Sequence, residues 1–229
     1  VWGFVLALLI APVIVGFIAV FSERFILRKV DYNPESTIVA TIGILYVIQQ
    51  LTLMGFGPEA RPVEAPIYFR VSFPWFGYSG YKLLVAVMSG LCLCGVWLLL
   101  KRTKLGLYMR ATQQDYEIAT TFGVPTKKIY ASVFALGGGL AALAGVLVVP
   151  IRQADHLMGL EPLLLSFIVV IIGGLGSIRG TIIAAFLIGI SDGIISVFYE
   201  PTLAKMLATL FVVMILIIKP SGLFGENQQ

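Results

Sequence analysis

The chain has 229 residues, of which 59% are hydrophobic and 12% are charged, about half the charged fraction of an ordinary soluble domain. A soluble domain of this size cannot bury so much apolar surface, so the composition excludes that class and indicates an integral membrane protein. The net charge of +4 does not indicate nucleic-acid binding, because basic residues in a membrane protein mainly set its orientation.

Seven apolar stretches approach the length of about 20 residues that a helix needs to cross a bilayer. They are Trp2–Phe21, Ser36–Gly55, Leu83–Leu100, Ile129–Pro150, Leu163–Ile178, Thr181–Tyr199 and Leu203–Ile218. Only Arg179 and Gly180 separate the fifth stretch from the sixth, which predicts a tight helical hairpin. The fold class is therefore all-α: a polytopic transmembrane helical bundle of about seven spans, forming a single domain over residues 1–229.

The basic residues predict the orientation of the bundle. When the loop Glu23–Glu35 is placed in the cytoplasm and the spans alternate, most of the 16 basic residues lie on the cytoplasmic side. The positive-inside rule favours this arrangement. It predicts a cytoplasmic C-terminus.

Small residues recur at every fourth position in two of the spans. One set is Gly137, Ala141 and Gly145, and the other is Ala185, Gly189 and Gly193. Such stripes allow a second helix to approach closely. We expect helix packing along both.

The predicted outer loop, residues 56–82, is rich in aromatic side chains. They are Tyr68, Phe69, Phe73, Trp75, Phe76, Tyr78 and Tyr81. An aromatic belt at the membrane interface explains this composition, and so does a docking surface for an extracytoplasmic partner. The sequence leaves both interpretations open.

The predicted inner loop, residues 101–128, contains a helix-compatible stretch from Ala111 to Phe122. Ala111, Asp115, Ile118, Ala119 and Phe122 fall on one face of such a helix. Gly123 is suited to end it and Pro125 to begin the next. The stretch is either an ordinary interfacial helix or a coupling helix. In the second case small Ala111 and Ala119 permit close approach, and Asp115 and Glu117 supply polar contacts.

Few polar side chains interrupt the spans. Asp192 lies near the middle of the sixth span, and Gln49 and Gln50 lie toward the outer end of the second. Each is either satisfied by hydrogen bonds between helices or lines a path for a solute. Cys92 and Cys94 lie about 200° apart on a helix and are interpreted as small hydrophobes. His156 has no clustered partner, so we expect no catalytic residue and no metal.

Four motifs together resemble one family. They are Arg110-Ala111-x-x-x-Asp115-x-Glu117-x-Ala119-x-x-x-Gly123, the Ala/Gly-rich run Phe134–Gly145, the run Val170–Gly180 with Gly173, Gly174, Gly176 and Gly180, and the tail Lys219–Gly225. In this order they are similar to permeases of branched-chain amino acid type ABC importers, in particular the smaller, H-type subunit. Permeases for urea and short amides are closely similar.

The resemblance implies a permease domain in the bacterial inner membrane with several partners. These are a second, related permease subunit, two cytoplasmic ATPase subunits that bind ATP and Mg²⁺, and an extracytoplasmic substrate-binding protein. Residues Arg110 to Gly123 would couple to the ATPase, and Asp192, Gln49 and Gln50 would line the substrate path. Family members have further N-terminal spans, so we expect an N-terminal portion before Val1.

The sequence also bears on the energy source. It contains no Gly-x-x-x-x-Gly-Lys-Ser/Thr motif for binding nucleotide phosphates. The glycine-rich run Gly173–Gly180 does not match this motif, because it lacks the lysine. ATP would then be bound by a partner. An ATP-independent secondary transporter or channel is the alternative, since glycine-interrupted spans suit that class too.

Overall fold

The computed structural model describes residues 2–30, 33–67, 69–72, 77–174, 176–198 and 210. The helices are α1 (Trp2–Phe25), α2 (Pro34–Phe56), α3 (Gly80–Arg102), α4 (Lys104–Gln114), α5 (Tyr116–Thr121), α6 (Thr126–Arg152), α7 (Leu160–Gly173) and α8 (Ile178–Phe198), with a 3₁₀ turn at Leu27–Val30. Two short strands, β1 (Arg70–Ser72) and β2 (Gly77–Ser79), pair antiparallel. The all-α prediction for the bundle is confirmed, with this hairpin as a small addition.

The described residues include four helices that are long and apolar enough to cross a membrane: Trp2–Val30, Glu35–Phe56, Gly80–Arg102 and Thr126–Arg152. They correspond to the first four predicted spans and extend beyond them at one or both ends. The extension has a simple cause, because helical hydrogen bonding continues into the polar flanks until a capping residue ends it. At α2, for example, the Asn33 side chain accepts a hydrogen bond from the Glu35 N–H.

The predicted boundary between the fifth and sixth spans is wrong by several residues. The helix of the fifth predicted span, α7, ends at Gly173. Arg179 and Gly180 lie in the first turn of α8. Gly174 and Gly176 have φ of 95° and 88°, which glycine adopts without steric cost. The predicted seventh span, Leu203–Ile218, lies outside the described residues apart from Leu210.

Ser177 begins the second helix of this hairpin. Its hydroxyl oxygen accepts a hydrogen bond from the Gly180 N–H at 3.1 Å, and its carbonyl accepts one from Thr181 at 3.0 Å. A Cβ atom on Gly173 would collide with the backbone of Gly180 and Thr181. The two helices therefore pack closely, around buried Ile172 and Ala184.

Helices α1 and α6 form the most extensive helix pair, and glycines permit it. A Cβ atom on Gly138 would lie 2.8 Å from the Ala19 Cβ, and one on Gly16 would lie 3.2 Å from the Ala135 carbonyl oxygen. The sequence predicted close helix packing along Gly137, Ala141 and Gly145 of α6, without naming the partner helix. Within the described residues nothing lies within 4 Å of a Cβ placed on Gly137 or Gly145, and Ala141 is exposed. The α1 contact instead uses the adjacent face of α6.

At the second predicted stripe, the described part of the chain leaves room for side chains at the glycine positions. A Cβ atom on Gly189 or Gly193 would meet nothing within 4 Å, and Ala185 is exposed. The side of α8 that packs against α7 is marked by Ala184, which is fully buried.

The region between α2 and α3 is fastened to the end of α6. Arg61 and Ala154 exchange two backbone hydrogen bonds of 2.9 Å. Tyr81, predicted as a loop residue, lies in the first turn of α3, where its buried hydroxyl donates to the Leu147 carbonyl at 2.8 Å. Phe69 and Tyr78 are exposed. Tyr68, Phe73, Trp75 and Phe76 lie outside the described residues.

The chain divides into two compact units, Val1–Leu157 and Met158–Gln229. The first unit contains α1 to α6 and the hairpin, and the second contains α7 and α8. Each forms its own contacts, described above. The single domain over residues 1–229 stays a prediction.

The glycine contact between α1 and α6 gives a stability prediction. Gly138→Val places a branched side chain against Ala19 and should destabilise the fold by about 1–3 kcal/mol, the usual cost of overpacking. Gly137→Val is the matched control, because it has the same helix propensity change and no neighbour within 4 Å. Unfolding titrations in detergent should separate the two variants. Equal destabilisation would contradict the packing described here.

Candidate functional site

The chain between α3 and α6 forms two helices rather than the one predicted over Ala111–Phe122. Helix α4 begins upstream at Lys104 and ends at Gln114, and α5 begins at Tyr116. Asp115 separates them in an extended conformation, with φ −156° and ψ 115°. Its carboxylate accepts a hydrogen bond from the Ile118 N–H at 2.9 Å. Aspartate is among the best N-cap residues. Asp115 therefore begins a second helix and divides the segment into α4 and α5.

Thr103 makes the junction between α3 and the α4–α5 segment, residues 104–121. Its hydroxyl donates to the Leu99 carbonyl at 2.6 Å and accepts from the Gly106 N–H at 3.1 Å. Gly106 is buried, and a Cβ atom there would collide with the backbone of Leu100. The turn out of the span is therefore sharp. The sequence signal that locates it is a capping threonine followed three residues later by glycine.

Gly123 makes the junction between α5 and α6. Its φ is 79°, and the Val124 N–H donates to the Ala119 carbonyl at 3.0 Å, the backbone pattern that typically ends a helix with glycine. Helix α6 starts at Thr126, three residues after Gly123, with Pro125 at its N-cap. The prediction that Gly123 ends one helix is confirmed, whereas the prediction that Pro125 begins the next is wrong by one residue, because Pro125 is the N-cap of α6.

The exposed face of α5 differs from the predicted one. Ala119 is buried at 4% exposure, whereas Ile118 and Phe122 are 55% and 84% exposed. The prediction put all three on one face, but only Ile118 and Phe122, four residues apart, share a side of α5, and Ala119 is turned by about 100° from Ile118. Ala119 therefore allows close packing inside the chain rather than against a partner.

The remaining residues of the predicted motif are accessible or nearly so. Arg110, Asp115 and Glu117 are exposed, and Ala111 is half-buried. The α4–α5 segment and Phe122, the C-cap residue of α5, thus present apolar Ile118 and Phe122 beside charged Asp115 and Glu117. Surface of this kind, apolar at its centre and polar at its edge, is typical of a protein interface.

The polar residues predicted for a solute path lie in different units. Gln49, half-buried, and Gln50, exposed, lie on α2 in the first unit, and Asp192, half-buried, lies on α8 in the second. Ser166 on α7 donates its hydroxyl to the Pro162 carbonyl at 2.7 Å, so that polar group is satisfied within its own helix. The role of the three path residues stays a prediction.

A cavity opens at the end of α1 and α6 opposite the α4–α5 segment. Its volume is about 550 Å³, and its lining is mostly apolar, which is within the usual range for small-molecule sites. The residues that line it include Phe4, Val63, Glu64, Val146 and Val149.

One group of residues escaped the sequence analysis. Glu23, at the end of α1, is fully buried and lies 3.6 Å from the Arg28 guanidinium. Arg28 also donates to the Lys127 carbonyl in the first turn of α6, at 3.4 Å. The available signal was an acidic residue followed five positions later by a basic one at the end of an apolar span. Among the described residues no three His, Cys, Asp or Glu side chains are grouped to hold a metal.

Comparison with known proteins places this chain in a family. The helices define a multi-pass helical membrane protein, and the family model described as "Branched-chain amino acid transport system / permease component" matches residues 1–218. The chain belongs to this family of transport permeases.

Several curated relatives support the assignment over 96% of the chain. They include the probable branched-chain amino acid transport permease protein LivH of Methanocaldococcus jannaschii (26% identical, 73% of that protein covered). LivH of the high-affinity branched-chain amino acid transport system of Escherichia coli is 22% identical, and BraD of the corresponding system of Pseudomonas aeruginosa is 20% identical, each with 76% of its length covered. No solved structure matches.

The capping role of Asp115 leads to a local prediction. Asp115→Ala removes the acceptor of the Ile118 N–H and should destabilise α5 by about 1 kcal/mol, whereas Asp115→Asn keeps an acceptor. Hydrogen exchange at the Ile118 and Ala119 amides should accelerate in the alanine variant alone. Gln114→Ala, one residue earlier, is the control. Unchanged exchange in Asp115→Ala would show that the cap does not hold α5.

Proposed function

We propose that this chain is the membrane-spanning permease subunit of an ATP-driven ABC importer. It translocates branched-chain amino acids, or a similar small amphipathic solute, by alternating access. The family match over residues 1–218 carries the proposal, and the names of the relatives point to branched-chain amino acids. In this proposal the chain lies in the bacterial inner membrane with its C-terminus in the cytoplasm.

The proposed partners are those that the family match suggests. Two cytoplasmic ATPase subunits bind ATP and Mg²⁺, and this chain's own sequence has no phosphate-binding loop. A second, related permease subunit completes the path, and an extracytoplasmic binding protein delivers the cargo. Residues 1–229 act as one permease domain within this assembly.

The exposed side of α5 is the proposed contact for the ATPase. Phe122 and Ile118 are too apolar to remain in water without cost, and burying them against a partner removes that cost. Caps fix both ends of the α4–α5 segment, through Thr103 to α3 and through Gly123 to α6. Movement of the ATPase pair would therefore displace α3 and α6 and switch access to the cargo path.

Assembly tests the ATPase contact. Phe122→Asp should abolish retention of the ATPase during co-purification, because loss of a central apolar contact costs about 2 kcal/mol or more, roughly 30-fold in affinity. Glu117→Lys should weaken retention through reversed charge. Ile26→Asp is the matched control, since Ile26 is exposed and apolar but lies outside the α4–α5 segment.

The outcomes separate the alternatives. If the wild-type chain retains no ATPase and transports without ATP, the chain is a secondary transporter or channel. If Phe122→Asp retains the ATPase as well as wild type does, the interface lies elsewhere and α5 is an ordinary interfacial helix.

Transport assays test the cargo path. Asp192→Asn keeps the size of the side chain and removes its charge, so a carboxylate that lines the path should change the KM for uptake or its maximal rate. Ser166→Ala is the control, because the Ser166 hydroxyl is already bonded to its own helix. Normal insertion with unaltered uptake by Asp192→Asn removes this residue from the path.

A further inference from the structure

The buried polar side chains of the described residues gather at one end of the bundle. They are Glu23, Thr112 and Thr126, which lie at the end of α1, in α4 and at the start of α6. The four long apolar helices have few buried residues within the chain itself. Burying a carboxylate is costly unless it is paired, so a fully buried Glu23 needs the cation that it meets.

That cation joins three parts of the chain. Arg28 belongs to the 3₁₀ turn that follows α1, and its neighbour Leu27 is buried at 1% exposure, which anchors the turn. The Arg28 guanidinium lies 3.6 Å from a Glu23 carboxylate oxygen and 3.4 Å from the Lys127 carbonyl oxygen. We call Glu23, Arg28 and the Lys127 carbonyl the inner clasp.

The clasp lies directly beside the α4–α5 segment. Lys127 is the second residue of α6 and follows the Gly123–Pro125 junction that ends α5. A displacement of α5 reaches α6 at this turn before it reaches any other part of that helix. Further along, α1 and α6 are packed through Gly16 and Gly138.

We propose that the inner clasp transmits movement of α5 to α1, so that Glu23 and Arg28 are positioning residues for transport. This rests on the proposed function, since it needs an ATPase acting on α5. Both contacts are longer than the roughly 2.8 Å of an optimal charge-assisted hydrogen bond. They permit small rearrangement while the charges stay paired, and the pairing keeps the inner ends of α1 and α6 moving together.

The test measures coupling rather than assembly. In the reconstituted importer with its ATPase, Arg28→Ala should still assemble and hydrolyse ATP, but cargo transported per ATP should fall roughly fivefold or more, the lower range of coupling between sites. Arg28→Lys keeps the charge and should recover part of the cargo transported per ATP. Arg24→Ala, which changes an exposed arginine in the last turn of α1, should leave the cargo transported per ATP unchanged.

Hydrogen exchange supplies a second readout that does not depend on turnover. In the wild type, ATP should alter exchange in residues 116–130 and in residues 20–30. In Arg28→Ala the ATP-dependent change in residues 116–130 should persist, and the change in residues 20–30 should disappear. Glu23→Gln should reproduce this, and the double variant should add nothing further if the two residues act as a pair.

Failure of the inference is distinguishable from failure of the proposed function. If the wild-type chain never couples to an ATPase, the proposed function is wrong. If it does couple, and Arg28→Ala keeps the same transport per ATP and the same exchange changes in residues 20–30, then the clasp has only a structural role.

Discussion

Within the hydrocarbon of a bilayer no water is available to hydrogen-bond the backbone, so a spanning segment must satisfy every N–H and C=O internally. This requirement makes the long helices continuous and confines breaks in the backbone to their ends. The described residues follow it closely. Thr103 and Ser177 each cap a helix at such an end, Asp115 caps α5 within a connection, and the described glycines with positive φ lie in the connections. The α4–α5 segment, which we propose as part of the ATPase contact, lies where polar capping is allowed.

The two ends of the first unit consequently differ in character. At one end the connection after α2 is fastened by backbone pairing between Arg61 and Ala154 and borders a largely apolar cavity. At the other end capped short helices, buried threonines and the Glu23–Arg28 pair lie around the start of α6. An apolar cavity is a suitable surface for an amphipathic solute. A charged junction beside short helices is a suitable contact for a partner that moves. The proposed function uses this difference.

Packing between helices also depends on which small residues face which neighbour. Gly138 and Gly16 are in contact range across the α1–α6 pair, whereas Gly137 and Gly145 have open space beside them in the described residues. A run of three consecutive glycines, Gly137 to Gly139, presents small surface in several directions. Periodicity shows that such a helix can be approached closely. It does not select the direction from which a particular helix approaches.

The sequence by itself determined the membrane class, the first four spans, the glycine end of α5 and the family. These depend on hydropathy and on local backbone preference, which neighbouring residues in the chain suffice to express. Tertiary structure decided the rest. Contacts between residues far apart in sequence decide three features: the burial of Ala119, the hydrogen bond from Tyr81 to the Leu147 carbonyl, and the contacts of Arg28 with Glu23 and α6. Such contacts are set by how whole helices pack, and no local pattern contains that information.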